Sequence, residues 1–224
     1  MAVPKHIALI PDGNRRWAEA KGLKPWEGHR VGIERFKEFL DWCYDSGAEE
    51  VTAFSLSKEN LGKRRSVEMD FLFGLYETNL LEMLKSPKII DRQVRVGFAG
   101  DLSPFPKRIK QLMAEIESKT KKFKKRRLTL CLNYSGREEI LRAAEGLAKS
   151  KKKATEKNFE GFLQVQSSPD LLIRTAERRI SNFLLWQCAY SEVYFSPKLF
   201  PDFAKEDFEG ALGQYAKTER RYGR

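Results

Sequence analysis

Arginine, serine and asparagine crowd the segment Arg174-Thr-Ala-Glu-Arg-Arg-Ile-Ser-Asn182, directly behind the strand-like run Asp170-Leu-Leu-Ile-Arg174. A guanidinium fork pairs two phosphate oxygens at once, where lysine acts as a point charge, so this cluster is suited to a polyanion. The competing assignment pairs its arginines with Glu177, Glu192 or Asp170 in a surface ion network. The N-terminal run His6-Ile-Ala-Leu-Ile-Pro-Asp-Gly-Asn-Arg-Arg-Trp17 has a related form: an apolar strand pattern breaks at Pro-Asp-Gly-Asn and resumes as a helix pattern. A helix starting at a strand end turns free N–H groups and positive dipole charge toward an anion. Two anion-ready strand ends predict two phosphorylated substrates. Glu192 stands inside the apolar run 186–195, where a carboxylate is costly unless paired or metal-bound.

For these segments to act together, the fold must bring their strand ends to one place. Apolar runs of strand length recur at 7–10, 51–56, 94–99, 128–132, 171–173 and 193–195, separated by segments of helical period. The segment 32–44 puts Ile33, Phe36, Phe39, Leu40 and Cys43 on one face, and 67–84 is a longer apolar-rich helix. Further helices are predicted over 109–116, 138–147 and 203–215. Alternation of this kind predicts an α/β fold with a largely parallel sheet covered on both sides. Ligands of such sheets collect beyond the carboxyl ends of the strands. Asp12-Gly-Asn-Arg-Arg16 follows the first strand, Ser57-Lys-Glu-Asn60 the second, Asn133-Tyr-Ser-Gly-Arg137 the fourth, and the arginine cluster the fifth. A single crevice gathers polar residues in this way.

The chain has 224 residues, with no internal repeat, Gly/Ser linker or composition break, so a single domain over 1–224 is expected. Its formal net charge of +11 favours anionic partners without choosing among them. The lysine-rich stretches 121–127 and 149–157 fall between elements and read as solvated connections rather than nucleic-acid contacts. Cys43, Cys131 and Cys188 lack metal-ligand spacing and sit among apolar neighbours, as reduced buried thiols of a cytosolic protein would. No apolar run reaches the roughly 18 residues that a membrane span needs, and the expected location is cytoplasmic or peripheral at the membrane.

Six segments in order resemble the cis-prenyltransferases, the family of the undecaprenyl and dehydrodolichyl diphosphate synthases. They are His6-Ile-Ala-Leu-Ile-Pro-Asp-Gly-Asn-Arg-Arg-Trp-Ala18, Gly28-His-Arg-Val-Gly32, Leu56-Ser-Lys-Glu-Asn60, Ile173-Arg-Thr175 with Arg179-Ile-Ser-Asn-Phe-Leu-Leu-Trp-Gln187, Ala189-Tyr-Ser-Glu-Val-Tyr-Phe195, and Pro201-Asp-Phe203 with Glu219-Arg-Arg-Tyr-Gly223. The resemblance implies about six mainly parallel strands beside a hydrophobic tunnel, and a homodimer. It also implies extension of an allylic prenyl diphosphate by isopentenyl diphosphate, with a new Z double bond and a requirement for magnesium. Asp12 would position Mg2+, although an Asp before Gly is equally an N-cap turn. Gly13, Asn14, Arg15, Arg16 and Trp17 would hold the allylic diphosphate. Arg174, Arg179 and Ser181 would hold isopentenyl diphosphate, completed by Arg221 and Gly223 across the dimer, and Glu192 would be a second magnesium contact, from the chain itself or from its partner. His29, Ser57, Asn60 and Lys63 match the polar set associated with ionisation and proton removal. Phe36, Phe39, Leu40, Phe71, Phe73, Leu75, Leu80, Leu81 and Leu84 would wall the tunnel, although aromatic stripes at helical spacing are ordinarily core.

The sequence also departs from the family pattern. One residue, Ala176, fills the space where two glycines are usual, Pro25 replaces a diphosphate-binding arginine for which Lys24 could compensate, and Leu61, Lys63 and Ser135 replace usual residues. Altered loops of this kind leave room for irregular coupling, with a second allylic diphosphate as acceptor. A non-catalytic partner subunit or a basic scaffold for RNA or lipid is the alternative from another class. Nucleic acid is not an expected partner of the enzyme, and its lipid product could draw it to a membrane.

Overall fold

The structure, a computed structural model, describes residues 3–61 and 66–218. Six parallel strands, β1 (His6–Ile10), β2 (Glu50–Ser57), β3 (Val94–Ala99), β4 (Arg126–Tyr134), β5 (Leu171–Thr175) and β6 (Glu192–Ser196), form one sheet in the order β3-β4-β2-β1-β5-β6. The helices are α1 (Asn14–Ala20), α2 (Glu27–Asp45), α3 (Lys58–Leu61), α4 (Ser66–Lys85), α5 (Pro87–Asp91), α6 (Lys107–Thr120), α7 (Gly136–Ser150), α8 (Glu156–Glu160) and α9 (Lys205–Lys217). The strands predicted from apolar runs are all present, each ending within a few residues of expectation. The two five-residue helices α5 and α8 escaped periodicity because they are too short to complete a repeat.

The central strands are buried on both faces, as in a parallel sheet covered by helices, and their successive side chains point into opposite cores. Ile7, Leu9, Val51, Ala53, Leu171 and Ile173 face one core, with Phe39, Leu80, Ile109, Leu112, Phe203 and Phe208 from the helices. Ala8, Ile10, Phe54 and Leu172 face a smaller core with Tyr134, Phe183 and Leu184. There Phe54 stacks on Phe183 at 4.7 Å, and Tyr134 meets the edge of both rings. Each large side chain so buried contributes about 1.5–3 kcal/mol, enough to hold the strand ends in register without cross-links. The three cysteines are free, and burial raises all three thiols, that of Cys188 to about 11. They are unreactive thiols, as their apolar settings suggested.

Strand order reverses its direction of growth at β1 and β5, leaving a crevice at their carboxyl ends. The crossing of α1 and α2 forms one wall. A Cβ at Gly32 would stand 2.2 Å from Asn14 Oδ1, and one at Gly28 would stand 2.0 Å from the Asn14 carbonyl oxygen. Glycine at both positions therefore lets α2 lie against the start of α1, which places His29 beside Asn14.

Candidate active site

β1 and β5 are adjacent, with Ile10 in register with Arg174. That pairing alone brings the Pro-Asp-Gly-Asn turn next to the arginine cluster. The turn is pinned at Asp12: its N–H donates to Thr175 Oγ1 (2.9 Å), the Thr175 hydroxyl donates to the Asp12 carbonyl (2.7 Å), and Phe200 N–H donates to the same carbonyl (3.0 Å). Gly13 has φ of +105°, and a Cβ there would come within 2.8 Å of Leu199. Only glycine fits both requirements.

The Asp12 carboxylate is one-third exposed, and the Arg174 side chain is 3 % exposed. Arg174 Nη2 donates to Asp12 Oδ2 (2.8 Å) and to Glu177 Oε2 (3.2 Å), and its Nη1 donates to Ser181 Oγ and the Arg179 carbonyl. Arg16 Nη2 approaches Asp12 Oδ1 at 3.3 Å and Glu177 Oε1 at 3.4 Å. Two guanidiniums and two carboxylates thus alternate around a closed ring. Arg179, two-thirds exposed, adds a third guanidinium on Glu177, and its Nε donates to Ser181 Oγ at 3.3 Å.

This ring lies on a cavity of about 780 Å³ that is also lined by Gly13, Asn14, Arg15, His29, Ser57, Glu59 and Asn182. Asn182 stitches the rim together. Its amide donates to Glu59 after β2 (3.0 Å) and to Ser135 after β4 (2.9 Å), and its Oδ1 accepts from Arg137 N–H (2.9 Å). A second, apolar recess of about 90 Å³ lies between α2 and α4, walled by Ile33, Phe36, Leu72, Leu75, Tyr76 and Phe200. The two cavities share Pro11, Asn14, His29 and Ser55. A chamber lined by arginines and carboxylates therefore adjoins an apolar one.

The undecaprenyl diphosphate synthase model of the prenyltransferase family matches residues 10–223. The chain belongs to the cis-prenyltransferase family. It is 42 % identical to an isoprenyl transferase of Thermotoga maritima, over all of this chain and 98 % of that protein. It is 40 % identical to a tritrans,polycis-undecaprenyl-diphosphate synthase (geranylgeranyl-diphosphate specific) of Methanopyrus kandleri, over 99 % of this chain and 85 % of that one. The crystal structure of lavandulyl diphosphate synthase from Lavandula x intermedia in complex with dimethylallyl diphosphate superposes with a TM-score of 0.92 at 34 % identity, covering 99 % of both chains.

In this cis-prenyltransferase the fold brings Asp12, Gly13, Asn14, Arg15, Arg16, His29, Ser57, Arg174, Arg179 and Ser181 to one cavity. Other expected residues lie elsewhere. Trp17 turns away and donates from Nε1 to Asp202 at 2.8 Å, which ties α1 to the 200–202 turn. Lys24 is exposed, with its ammonium over the Trp26 ring at 5.7 Å, and does not line the cavity. Glu192 opens β6 in register with Leu171, at the end of the sheet away from Asp12, and is half-buried rather than sealed among apolar groups. Within one chain it does not join Asp12. Phe39 and Leu80 are core rather than channel wall, because Phe39 is enclosed by Trp42, Phe203 and Phe208. Lys63, Arg221 and Gly223, with the Asn60 side chain, lie outside the described residues.

Sequence reasoning named Glu177 only as a surface partner for the arginines and did not single out Glu59. Glu177 does pair with them, but inside the cavity. The available signal was its position three residues beyond the strand-ending Arg174.

Proposed function

We propose that this enzyme transfers the prenyl group of an allylic prenyl diphosphate to isopentenyl diphosphate, makes a Z double bond at each addition, and requires magnesium. The observation that carries this is the ring of Asp12, Arg174, Glu177 and Arg16 on a cavity with room for two diphosphates, adjoining an apolar recess. Ionisation of an allylic diphosphate places negative charge on the departing pyrophosphate. Preorganised donors stabilise that charge better than water does. Arg174, immobilised on four acceptors, provides a fixed donor surface, while exposed Arg15, Arg16 and Arg179 would exchange their carboxylate partners, Glu68 for Arg15, Asp12 and Glu177 for Arg16 and Glu177 for Arg179, for incoming phosphate oxygens. His29 lines both chambers, where the diphosphate head meets the hydrocarbon tail. The apolar walls of α2 and α4 keep water from the carbocation.

The donor set suits magnesium. Among the described residues no group of three His, Cys, Asp or Glu side chains forms a metal cage, and magnesium commonly binds through one or two carboxylates together with substrate phosphates and water. Asp12 would hold the ion, with Glu177 as the neighbouring carboxylate. When bound, it supplies positive charge to the leaving diphosphate.

Mass analysis of products from labelled isopentenyl diphosphate and allylic primers of increasing length tests the assignment. Products growing by five-carbon steps, with turnover stopped by chelation and restored by magnesium, are expected. The absence of any carbon–carbon coupled product with every primer would refute it. Irregular coupling is the second reading. It is supported by the likeness to a lavandulyl diphosphate synthase and by the shortened loop at Ala176. A coupled product from dimethylallyl diphosphate alone would establish it. We also infer a homodimer, since edge strand β6 is only half-covered over 192–195 and Tyr190 beside it is 79 % exposed. Sedimentation at twice the 26.0 kDa chain mass is expected.

A further inference from the structure

The end of the sheet opposite the diphosphate cavity carries a surface that prenyl transfer does not use. Residues 118–127 contain seven cations and no carboxylate: Lys119, Lys121, Lys122, Lys124, Lys125, Arg126 and Arg127. They run from the last turn of α6 into β4, and Lys121, Lys122, Lys124 and Lys125 are exposed and form no ion pair among the described residues, whereas Lys119 is paired with Glu115. Beside them lies an apolar groove of about 220 Å³, lined chiefly by Met83, Leu84, Ile89, Ile90, Ile116 and Phe123. Ile90 at its edge is 59 % exposed. Phe123 also borders a neighbouring hollow of about 440 Å³ in which five cations, Arg95, Lys124, Lys125, Arg126 and Arg127, outnumber the two carboxylates of Glu49 and Glu50.

We propose that this end of the molecule docks on an anionic lipid bilayer, with the lysines of the 121–125 loop on the headgroups and the groove edge at Ile90 in the interface. Clusters of four to eight cations near apolar side chains are the pattern that anionic leaflets attract. An apolar edge inserted at the headgroup boundary adds a second, salt-independent attachment. RNA is the less suitable occupant. Its unpaired bases need open aromatic faces for stacking, and the groove offers aliphatic side chains with one half-buried phenylalanine.

The placement also relates to the proposed chemistry, on which this part of the inference rests. Helix α4 contributes Leu72, Leu75 and Tyr76 to the recess beside the diphosphate cavity, and Met83 and Leu84 to the far groove. Its 20 residues span about 30 Å. Docking at the groove would leave the diphosphate cavity and its adjoining recess facing away from the bilayer, with α4 running from the recess at Leu72, Leu75 and Tyr76 to the docked groove at Met83 and Leu84.

The test is cosedimentation of the full chain, without substrate, with vesicles of phosphatidylcholine alone or with about one-third phosphatidylserine. Binding to the anionic vesicles at least about tenfold tighter than to neutral ones, weakening as salt rises, is expected. Replacing Lys121, Lys122, Lys124 and Lys125 together by Gln should reduce that binding by a hundredfold or so. Ile90→Ser should reduce it by about tenfold without changing its salt dependence. Turnover of a short, water-soluble primer should be unchanged in both variants, which separates failure of docking from failure of the prenyl-transfer assignment. Equal partition onto both vesicle types, binding unaffected by the lysine replacements, or tighter retention on a single-stranded RNA homopolymer than on anionic vesicles would each overturn the proposal.

Discussion

Two carboxylate networks lie beyond the carboxyl ends of strands of the same sheet, one after β4 and the other after β1 and β5, and differ in every property that governs reactivity. Glu139, in α7 after β4, is 4 % exposed and accepts four hydrogen bonds: from Gln164 N–H (2.9 Å) and Val165 N–H (3.0 Å) on one oxygen, and from the Tyr134 hydroxyl and Gln187 Nε2 (3.0 Å) on the other. All four donors are neutral, and burial together with the adjacent Glu139 raises the Tyr134 phenol far above its ordinary value. Asp12 and Glu177 are one-third and one-quarter exposed, and their carboxylate oxygens are held by guanidiniums. A saturated carboxylate on neutral donors is a strut. One shared between arginines at a cavity mouth can exchange those partners for a metal ion or allow them to turn to phosphate.

The contrast is tested first at Asp12. Asp12→Ala should lower kcat/KM by about a thousandfold or more, the scale of losing a principal electrostatic contact in a transition state. Arg174 would keep Glu177 and Ser181, so thermal stability should fall by no more than about 1–2 kcal/mol. Glu139→Ala should do the reverse. It strands four buried donors at about 1–3 kcal/mol each before relaxation, so a stability loss of about 3–5 kcal/mol is expected, with turnover per folded molecule little changed. Glu139→Gln, which keeps one acceptor oxygen, should recover about half of that. Denaturant titration beside steady-state kinetics checks both variants. Loss of turnover at unchanged stability in Glu139→Ala would break the comparison.

The two networks were not equally legible in the sequence. Asp12 and Arg174 end consecutive neighbours of a parallel sheet, and apolar runs followed by polar clusters reveal strand ends well. Glu139 was invisible. In Gly136-Arg-Glu-Glu-Ile140 it reads as an ordinary acid of a first helical turn, and three of its four donors come from 164, 165 and 187, residues that no local pattern connects to it. Glu192 was legible as the residue that opens a strand of a parallel sheet, and β6 accordingly holds it at the amino end, away from Asp12 within one chain. Trp17 matched the family motif, yet which way its ring turned depended on Asp202, far along the chain.

His6 extends the comparison to a buried group that is neutral when folded. It is 4 % exposed, its Nε2 lies 2.8 Å from Thr52 Oγ1, and burial lowers its pKa against the opposing pull of Glu50 and Asp170. The unfolded chain takes up a proton near the ordinary value of about 6.5, whereas the folded chain resists. This contribution to stability is therefore complete above that pH and is lost as pH falls below it, with a slope of at most about 1.4 kcal/mol per pH unit for one proton. Urea midpoints between about pH 7 and pH 5 should fall more steeply for the native sequence than for His6→Gln. Parallel curves would remove His6 as the cause.

The smallest effect sharpens the contrast from the backbone side. Ala176 has φ of +69°, its N–H donates to Ser196 O (2.9 Å), and Glu177 N–H donates back to Thr175 O (2.9 Å), closing a three-residue turn. Tight turns of this hand are rare and strained, and the left-handed region costs an alanine about 1–2 kcal/mol. This turn directs Glu177 onto Arg16, Arg174 and Arg179, whereas Glu139 sits on an unstrained helix. Ala176→Gly removes the steric cost but returns about 0.4–1 kcal/mol of freedom to the unfolded chain, for a net gain of about 0.5 kcal/mol. If the strain serves to fix Glu177, the more stable glycine variant should also bind diphosphate more weakly, seen as a KM raised about twofold with kcat nearly constant. A loss of stability on substitution would mean that the surrounding loop, rather than the strained turn, holds Glu177 among the arginines.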